Sequence, residues 1–156
     1  MKIVLIDSSK EWIGIIIGEE AILKILNAKL KKSFGKNVHM RELERGEKFS
    51  VLRIFNQIFS RQRVRLYSFL TKNSKFWPEF VKSAIDAGVH TFYVDLEISQ
   101  ELRRKVHPFY LRQLNVYTDK KSAQCADILA YGDSHRKLVR NIWKDISITR
   151  GELRVE

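Results

Sequence analysis

The sequence predicts a single α/β domain. The chain has 156 residues, a length that suits one domain, and 44% of them are apolar, enough to build a sizeable core. Runs of β-branched residues alternate along it with segments of helical periodicity. No Gly/Pro-rich linker or internal repeat divides the chain. We therefore expect one domain over residues 1–146 and a charged tail over residues 147–156 that frays.

The elements of the first half are predicted from periodicity and end signals. Two β-branched runs on either side of Asp7-Ser8-Ser9 predict a hairpin, and a run with acids first, lysines last and Gly35 at its end predicts an amphipathic helix. The pattern assigns no type to Val38–Leu43. In chain order, the predicted elements are strands Lys2–Ile6 and Trp12–Ile17, helices Glu19–Phe34 and Phe49–Phe59, and strand Val64–Leu70.

In the second half, strands and helices continue to alternate. Pro78 suits an early helical position and Gly88 a helix stop, while the small and apolar residues after Ser122 predict a long final helix that Gly132 weakens. The predicted elements are helix Pro78–Ala87, strand Thr91–Leu96, short helix Glu97–Lys105, strand Leu114–Thr118 and helix Ser122–Trp143.

The charge of the chain favours phosphate-bearing polymers as partners. Lys and Arg number 29 and Asp and Glu 18, a formal balance of +11, and a nucleic acid releases counterions when its phosphates are neutralised. Surface cations that serve solubility are the alternative. The longest apolar stretch, Trp12–Ile17, is too short to cross a bilayer, and no signal peptide is evident, so no membrane is expected. The lone Cys125 excludes an intramolecular disulfide, and we expect a reducing, cytoplasmic compartment.

Acidic residues lie where strands end. Asp7 ends the first strand, Asp95 ends a later one, and Asp127 lies in the last helix. Sites in α/β sheets form at such strand ends, and clustered carboxylates bind divalent cations that orient a phosphate and activate water. Aspartate is also common in turns, and a salt bridge to Arg or Lys is the alternative role of a buried Asp127. Small residues favour a close approach of the last helix to the sheet, beside Asp7; they are Ala123, Ala126 and Ala130.

Three segments resemble a large ribonuclease H-like family. Residues 119–131, DKKSAQCADILAY, are similar to that family's closing signature, in which Asp-Ser-Lys precedes a Leu-Gln-Leu-Ala-Asp-Leu-Ile-Ala helix. Ile6-Asp7-Ser8-Ser9 resembles its opening strand, which ends in Asp-Glu-Ser, and Val38–Leu43 resembles its His-Ala-x-Glu-Leu element. The segments follow the expected order over most of the chain.

The resemblance implies a ribonuclease H-like mixed sheet flanked by helices and a metal-dependent nuclease activity. It implies Asp7, Asp95 and Asp127 as catalytic residues and as ligands of Mg²⁺ or Mn²⁺, with Glu42 or Asp119 as a further ligand.

Some residues depart from the family pattern. Ser8 stands where the family has Glu and Cys125 where it has Leu, so a degenerate site is one alternative, and Glu97 is the alternative ligand to Asp95. The opening VLIDSS also resembles PIN-domain nucleases, which use an acidic cluster too. We expect Cys125 to be a buried structural thiol, and His39 to be either a surface residue or a proton-transfer group beside Glu42.

Basic residues near the expected site would hold a polynucleotide, although a solvated charged face is the alternative. If the third strand extends backward, one face of it would hold Arg61, Arg63 and Arg65. A second group of cations flanks the last helix: Lys120, Lys121, Arg136, Lys137 and Arg140.

The sequence thus predicts a metal-dependent nuclease that cleaves RNA or DNA by in-line attack of water. One alternative is a non-catalytic nucleic-acid-binding protein on the same fold, and another is a protein-interaction module that uses Trp12, Phe76 and Trp77. We expect Phe76 and Trp77 to cap the core rather than stack on bases. No Gly-rich phosphate loop is present, so nucleotide cofactors are not expected.

Overall fold

A computed structural model describes residues 1–70, 76–119 and 121–150 of the chain. Within these residues, six strands form one mixed sheet in the order β5-β4-β1-β2-β3-β6. Strands β1 and β3 are antiparallel to β2, whereas β1, β4 and β5 are parallel to one another and β6 is parallel to β3. The strands are β1 Lys2–Ser9, β2 Trp12–Glu19, β3 Arg65–Leu70, β4 Thr91–Val94, β5 Asn115–Thr118 and β6 Ile148–Arg150.

Helices cover both faces of this sheet. Ile3 and Leu5 of β1 point to one face and Val4 and Ile6 to the other, and each pair joins a separate apolar cluster. α1, α2 and α6 pack on the first face and α3 and α4 on the second. The helices are α1 Glu20–Phe34, a 3-10 turn Met40–Glu42, α2 Arg45–Phe59, α3 Phe76–Asp86, α4 Leu96–Lys105, α5 Pro108–Leu111, α6 Gln124–Ser134 and α7 Arg136–Val139. No helix of the described ranges is long and apolar enough to cross a membrane.

The structure confirms the α/β class, the hairpin and most predicted elements. Gly35 ends α1 in the left-handed conformation with φ 88°, as its position predicted. α2 begins four residues earlier than its apolar pattern, because Glu44 and Glu47 form a reciprocal capping box there. Phe76 and Trp77 are buried, which confirms that they belong to the core and shows that stacking on bases is wrong for them.

The prediction of one long helix over Ser122–Trp143 is wrong. α6 ends at Ser134, His135 adopts non-helical angles, and the short α7 follows. The chain turns back so that Trp143 donates its indole N–H to the carbonyl oxygen of Leu52 at 2.9 Å and packs against Gly132. A continuous helix would carry Trp143 away from both.

The end of the chain also differs from the expectation. Residues Ile148–Arg150, predicted to belong to a frayed tail, form β6 and pair with β3 at the edge of the sheet. The rest of that tail, residues 151–156, lies outside the described part of the chain.

Candidate functional site

Asp7 and Asp95 leave the sheet side by side. Ile6 of β1 lies opposite Val94 of β4 in a parallel pair, so the next residue of each chain segment reaches the same carboxyl edge. Neighbouring strands lie about 4.8 Å apart. Asp7 shares its face of the sheet with Leu5, the face that α6 covers. The two acids that the sequence analysis predicted at strand ends are therefore neighbours.

Gly14 lets α6 approach this edge. It lies opposite Asp7 in the β1–β2 pair, and a Cβ atom at Gly14 would lie 2.4 Å from the carbonyl oxygen of Ala126 and 2.8 Å from the backbone nitrogen of Ala130. Only a residue without a side chain fits against the helix at that distance. The close approach predicted from the small residues of α6 is present, and it brings Asp127 beside Asp7.

Asp127 is held by the segment that precedes α2. Its Oδ2 accepts a hydrogen bond of 2.9 Å from the backbone N–H of Met40, and Nδ1 of His39 lies 3.4 Å from the same oxygen. Gln124, one turn earlier on α6, accepts a hydrogen bond of 2.7 Å from the backbone N–H of Val38. The segment that the sequence left unassigned thus fixes the orientation of Asp127.

The electrostatics of the cluster show a shortage of positive charge. The pKa of Asp7 is raised to about 9, chiefly by burial, and also by the charge of Asp127 and by a hydrogen bond to Asp95. Burial also raises the pKa of Asp127, although the Met40 N–H and His39 favour its charged form. A cation placed between these carboxyl groups would offset the cost of burying their negative charges and reduce the repulsion between them.

A cavity of about 800 Å³ opens above the three aspartates. Its polar lining combines acids with cations, which is the composition expected of a site that binds a metal together with a phosphate. The acidic side chains are Asp7, Asp95, Asp127, Glu42 and Glu97, and the basic ones are Lys10, Arg41, Lys48, Lys121 and His39. The ammonium of Lys48 lies 5.3 Å from the ring centre of Tyr131, which lines the same cavity.

Asp119 has a different position from the other predicted acids. Its carboxylate accepts hydrogen bonds from the Ser122 hydroxyl at 2.8 Å and from the Lys121 backbone N–H at 2.9 Å, and the Ser122 bond lowers the pKa of Asp119. It is absent from the described lining of the acidic cavity. Asp119 therefore orders the turn that leads into α6.

The predicted basic groups separate in space. β3 runs parallel to β1, so its first residue, Arg65, lies at the end of the sheet opposite Asp7. The expected backward extension of that strand is wrong, because Arg61 lies in a turn with φ 61° and β3 starts at Arg65, which leaves Arg63 in the connecting loop.

The remaining predicted cations that the structure describes lie at two separate places, the acidic cavity and α7. Lys121 lines the acidic cavity, whereas Arg136 and Lys137 lie on α7 and Arg140 follows it. Lys120 lies outside the described residues. Sequence reasoning missed Lys10, Arg41 and Lys48 as cavity residues; no local pattern singles them out among the 29 Lys and Arg of the chain.

Metal-binding geometry and thiol chemistry give two further results. Within residues 1–70, 76–119 and 121–150, no group of three or more His, Cys, Asp or Glu side chains is arranged so that it could hold a metal ion. Cys125 is buried, and burial raises the pKa of its thiol to about 12, so it is the structural thiol that the sequence predicts.

Comparison with known proteins adds no relative: no protein-family model matches the chain, and no curated protein sequence matches it significantly. The acidic cavity is therefore the feature of the molecule that bears on its function.

Proposed function

We propose that the protein is a metal-dependent nuclease with a ribonuclease H-like fold that hydrolyses phosphodiester bonds of RNA or DNA. The observation that carries the proposal is the environment of Asp7. This carboxyl group is 8% exposed, adjoins Asp95 and Asp127, and lies at the base of a cavity with cations along its wall. Proteins seldom bury neighbouring carboxyl groups without a partner of opposite charge.

The fold supports the same proposal. A mixed sheet with helices on both faces is the architecture that the resemblance implies. The three acids of the predicted motif come from β1, from the end of β4 and from α6, and they meet at the carboxyl edge of the sheet, where α/β proteins usually bind ligands.

The proposed cation is Mg²⁺ or Mn²⁺, which would need substrate oxygens beside the carboxylates, because the described residues contain no group of three or more side chains that could hold a metal ion. Mg²⁺ keeps several water ligands and is commonly held by one or two carboxylates together with phosphate oxygens of the substrate. Asp7 and Asp127 would supply the carboxylates, and Asp95 and Glu42 border the same space. When bound, such cations would polarise the scissile phosphate and activate a water molecule.

The other residues of the cavity have roles that follow from their charge and position. Lys48, Arg41 and Lys121 would attract and orient the phosphate backbone of the substrate. His39 and the Met40 N–H both contact Oδ2 of Asp127, so they hold that carboxylate in one orientation toward Asp7. The protein would therefore present fixed oxygen donors to the reacting phosphate.

The test is cleavage of single-stranded, duplex and hybrid substrates in the presence of Mg²⁺ or Mn²⁺. Asp7→Asn, Asp95→Asn and Asp127→Asn each remove one carboxyl group that could bind the metal and keep the shape, so turnover should fall at least about 100-fold. Asp86→Asn, the same change at an exposed position of α3, is the matched control and should retain activity. Ca²⁺, with its looser coordination, should support binding better than turnover.

Two results would change the proposal. An inactive wild type on all three substrate classes, with metal present and polynucleotide bound, would leave the non-catalytic nucleic-acid-binding protein as the better description. Full activity of Asp95→Asn would move that ligand role to Glu97, which lines the same cavity.

A further inference from the structure

A second cavity of about 330 Å³ lies beside α7, and three guanidinium groups line it. Arg136 belongs to α7, Arg140 follows it, and Arg150 is the last residue of β6. Trp143 and aliphatic side chains form the rest of its wall. We refer to the space between Arg136, Arg140 and Arg150 as the arginine cleft.

The arginine cleft carries more positive than negative charge. Asp133 is fully buried and accepts hydrogen bonds from Nε of Arg150 at 3.0 and 3.1 Å, and Arg136 lies 3.5 Å from the same carboxylate. Arg140 is exposed on the same cavity. The Asp133 carboxylate thus contacts two of the three permanent positive charges, and the planar donors of arginine match phosphate oxygens in pairs.

The register of the sheet places this cleft in line with the acids. Asp7 lies opposite Gly14, Gly14 opposite Ser68, and Ser68 opposite Arg150. The row crosses three strand spacings of about 4.8 Å, so the two ends are about 14 Å apart. All four residues face the side of the sheet that α6 covers.

A second path connects the two cavities along the surface. Ser9 lines the acidic cavity and pairs with Trp12 across the β1–β2 hairpin. The guanidinium of Arg136 lies over the Trp12 ring at 4.5 Å, and Arg136 lines the arginine cleft. Arg136 is therefore fixed on the side of the cleft that faces the acids.

We infer that the arginine cleft binds a backbone phosphate of the same nucleic acid strand whose scissile phosphate occupies the acidic cavity. The inference rests on the proposed function, which supplies the strand. A stacked strand rises about 3.4 Å per nucleotide, so about 14 Å corresponds to about four nucleotides. A dinucleotide in the acidic cavity cannot reach the cleft, whereas a ten-nucleotide strand can.

The experiment measures binding of a dinucleotide and of a ten-nucleotide single strand, in Ca²⁺ to prevent turnover. Arg140→Gln should weaken binding of the ten-nucleotide strand about 3- to 10-fold and leave the dinucleotide unchanged. In Arg140→Gln, the plot of the logarithm of the binding constant against the logarithm of salt concentration should be less steep by about 0.7, because one phosphate contact is lost. Arg103→Gln, the same charge change on α4 across the sheet, should alter neither affinity.

Loss of binding in a variant must be distinguished from loss of the folded structure. Arg150→Gln is a second variant, but it removes a partner of buried Asp133, so its melting curve must be compared with that of the wild type. Arg140→Gln carries the test if Arg150→Gln unfolds. Inorganic phosphate and a mononucleotide serve as competitors. If the cleft is a site for free phosphate, inorganic phosphate should displace the ten-nucleotide strand at the same concentration at which it binds to the protein without the strand.

The outcomes separate this inference from the proposed function. Equal losses in Arg140→Gln and Arg103→Gln would reduce the effect to overall charge and overturn the inference, even if the wild type cleaves its substrates. Equal losses for the dinucleotide and the ten-nucleotide strand would also overturn it. A length-dependent loss in Arg140→Gln, together with a wild type that binds but never cleaves, would support the cleft and reject the nuclease.

Discussion

Two buried aspartates on the same helix have opposite surroundings. Asp127 and Asp133 are both nearly inaccessible and lie six residues apart on α6. Asp133 contacts Arg150 and Arg136, so its charge is balanced within the fold. Asp127 contacts a backbone N–H and His39 and lies beside Asp7, whose pKa it raises.

The difference shows that burial does not by itself identify a functional acid. The sequence analysis gave a salt bridge to Arg or Lys as the alternative role of Asp127. In the structure it is Asp133 that forms salt bridges to arginine. An acid whose neighbours are other acids has a raised pKa, whereas the charge of an acid paired with arginine is balanced within the fold. The partners across the fold distinguish the two, and these partners come from distant parts of the chain.

The largest expected effect comes from exchanging each carboxylate for an amide. Asp127→Asn should reduce metal-dependent turnover at least about 100-fold and keep the fold, because the amide oxygen can still accept the Met40 hydrogen bond. Asp133→Asn should keep the acidic cavity but lower the free energy of unfolding by about 2 kcal/mol, since it leaves arginines unpaired. Cleavage rates and urea unfolding of both variants provide the comparison. Similar effects of the two substitutions on both measurements would remove the distinction between the aspartates.

Gly14→Ala tests whether the contact between α6 and the sheet creates the cluster. The added methyl group would overlap the backbone of α6, so we expect a loss of about 2 to 3 kcal/mol and a weaker response to metal. Gly46→Ala is the control: its Cβ would meet no atom within 4 Å, and it lies in α2. That variant should be unchanged or more stable by up to about 1 kcal/mol. An unaltered Gly14→Ala protein would contradict the packing argument.

The pH dependence of stability should report the buried state of Asp7. Folded Asp7 keeps its proton up to about pH 9, whereas the unfolded chain loses it near pH 4. The folded state therefore binds more protons within this window, and the free energy of unfolding falls as pH rises, by up to about 1.4 kcal/mol per pH unit. We expect a total decrease of about 1 to 2 kcal/mol between pH 6 and pH 8, and a flatter profile in Asp7→Asn. Parallel profiles of the two proteins in metal-free buffer would show that Asp7 titrates normally.

The smallest effect is the stabilisation by metal. At about ten times its dissociation constant, a cation that binds the folded state alone adds about 1.4 kcal/mol, which corresponds to about 3 to 6 °C for a chain of this size. Millimolar Mn²⁺ or Mg²⁺ should raise the melting temperature of the wild type and of Arg140→Gln by this amount. Asp7→Asn and Asp127→Asn should respond less. Identical shifts in all four proteins would indicate binding elsewhere.

Sequence reasoning predicted the acids better than the cations. Asp7, Asp95 and Asp127 stand at positions with a local signal, namely strand ends and a helix rich in small residues, and all three line one cavity. Arg61 and Arg63, by contrast, precede a strand that begins at the far end of the sheet. Long flexible side chains are common over the whole surface of a chain with this charge, so their number does not reveal which of them converge.

The errors in the fold have similar causes. The long final helix was predicted from local composition, but Trp143 gains a core position and a hydrogen bond to Leu52 when the chain turns back at His135. The strand β6 is short and polar, and pairing with β3 makes it a strand. In both cases a contact between distant segments decided against the local preference.

The sequence by itself determined the α/β class, the order of most elements, and the positions of two acids at strand ends and of a third in the last helix, because periodicity and end signals are local properties of the chain. The tertiary structure decided which side chains meet. The β1–β4 register put Asp95 beside Asp7, the absence of a side chain at Gly14 let α6 deliver Asp127, and the β3–β6 register aligned Arg150 with the acids. These contacts depend on strand pairing and on helix packing between residues far apart in the chain, which no local pattern encodes.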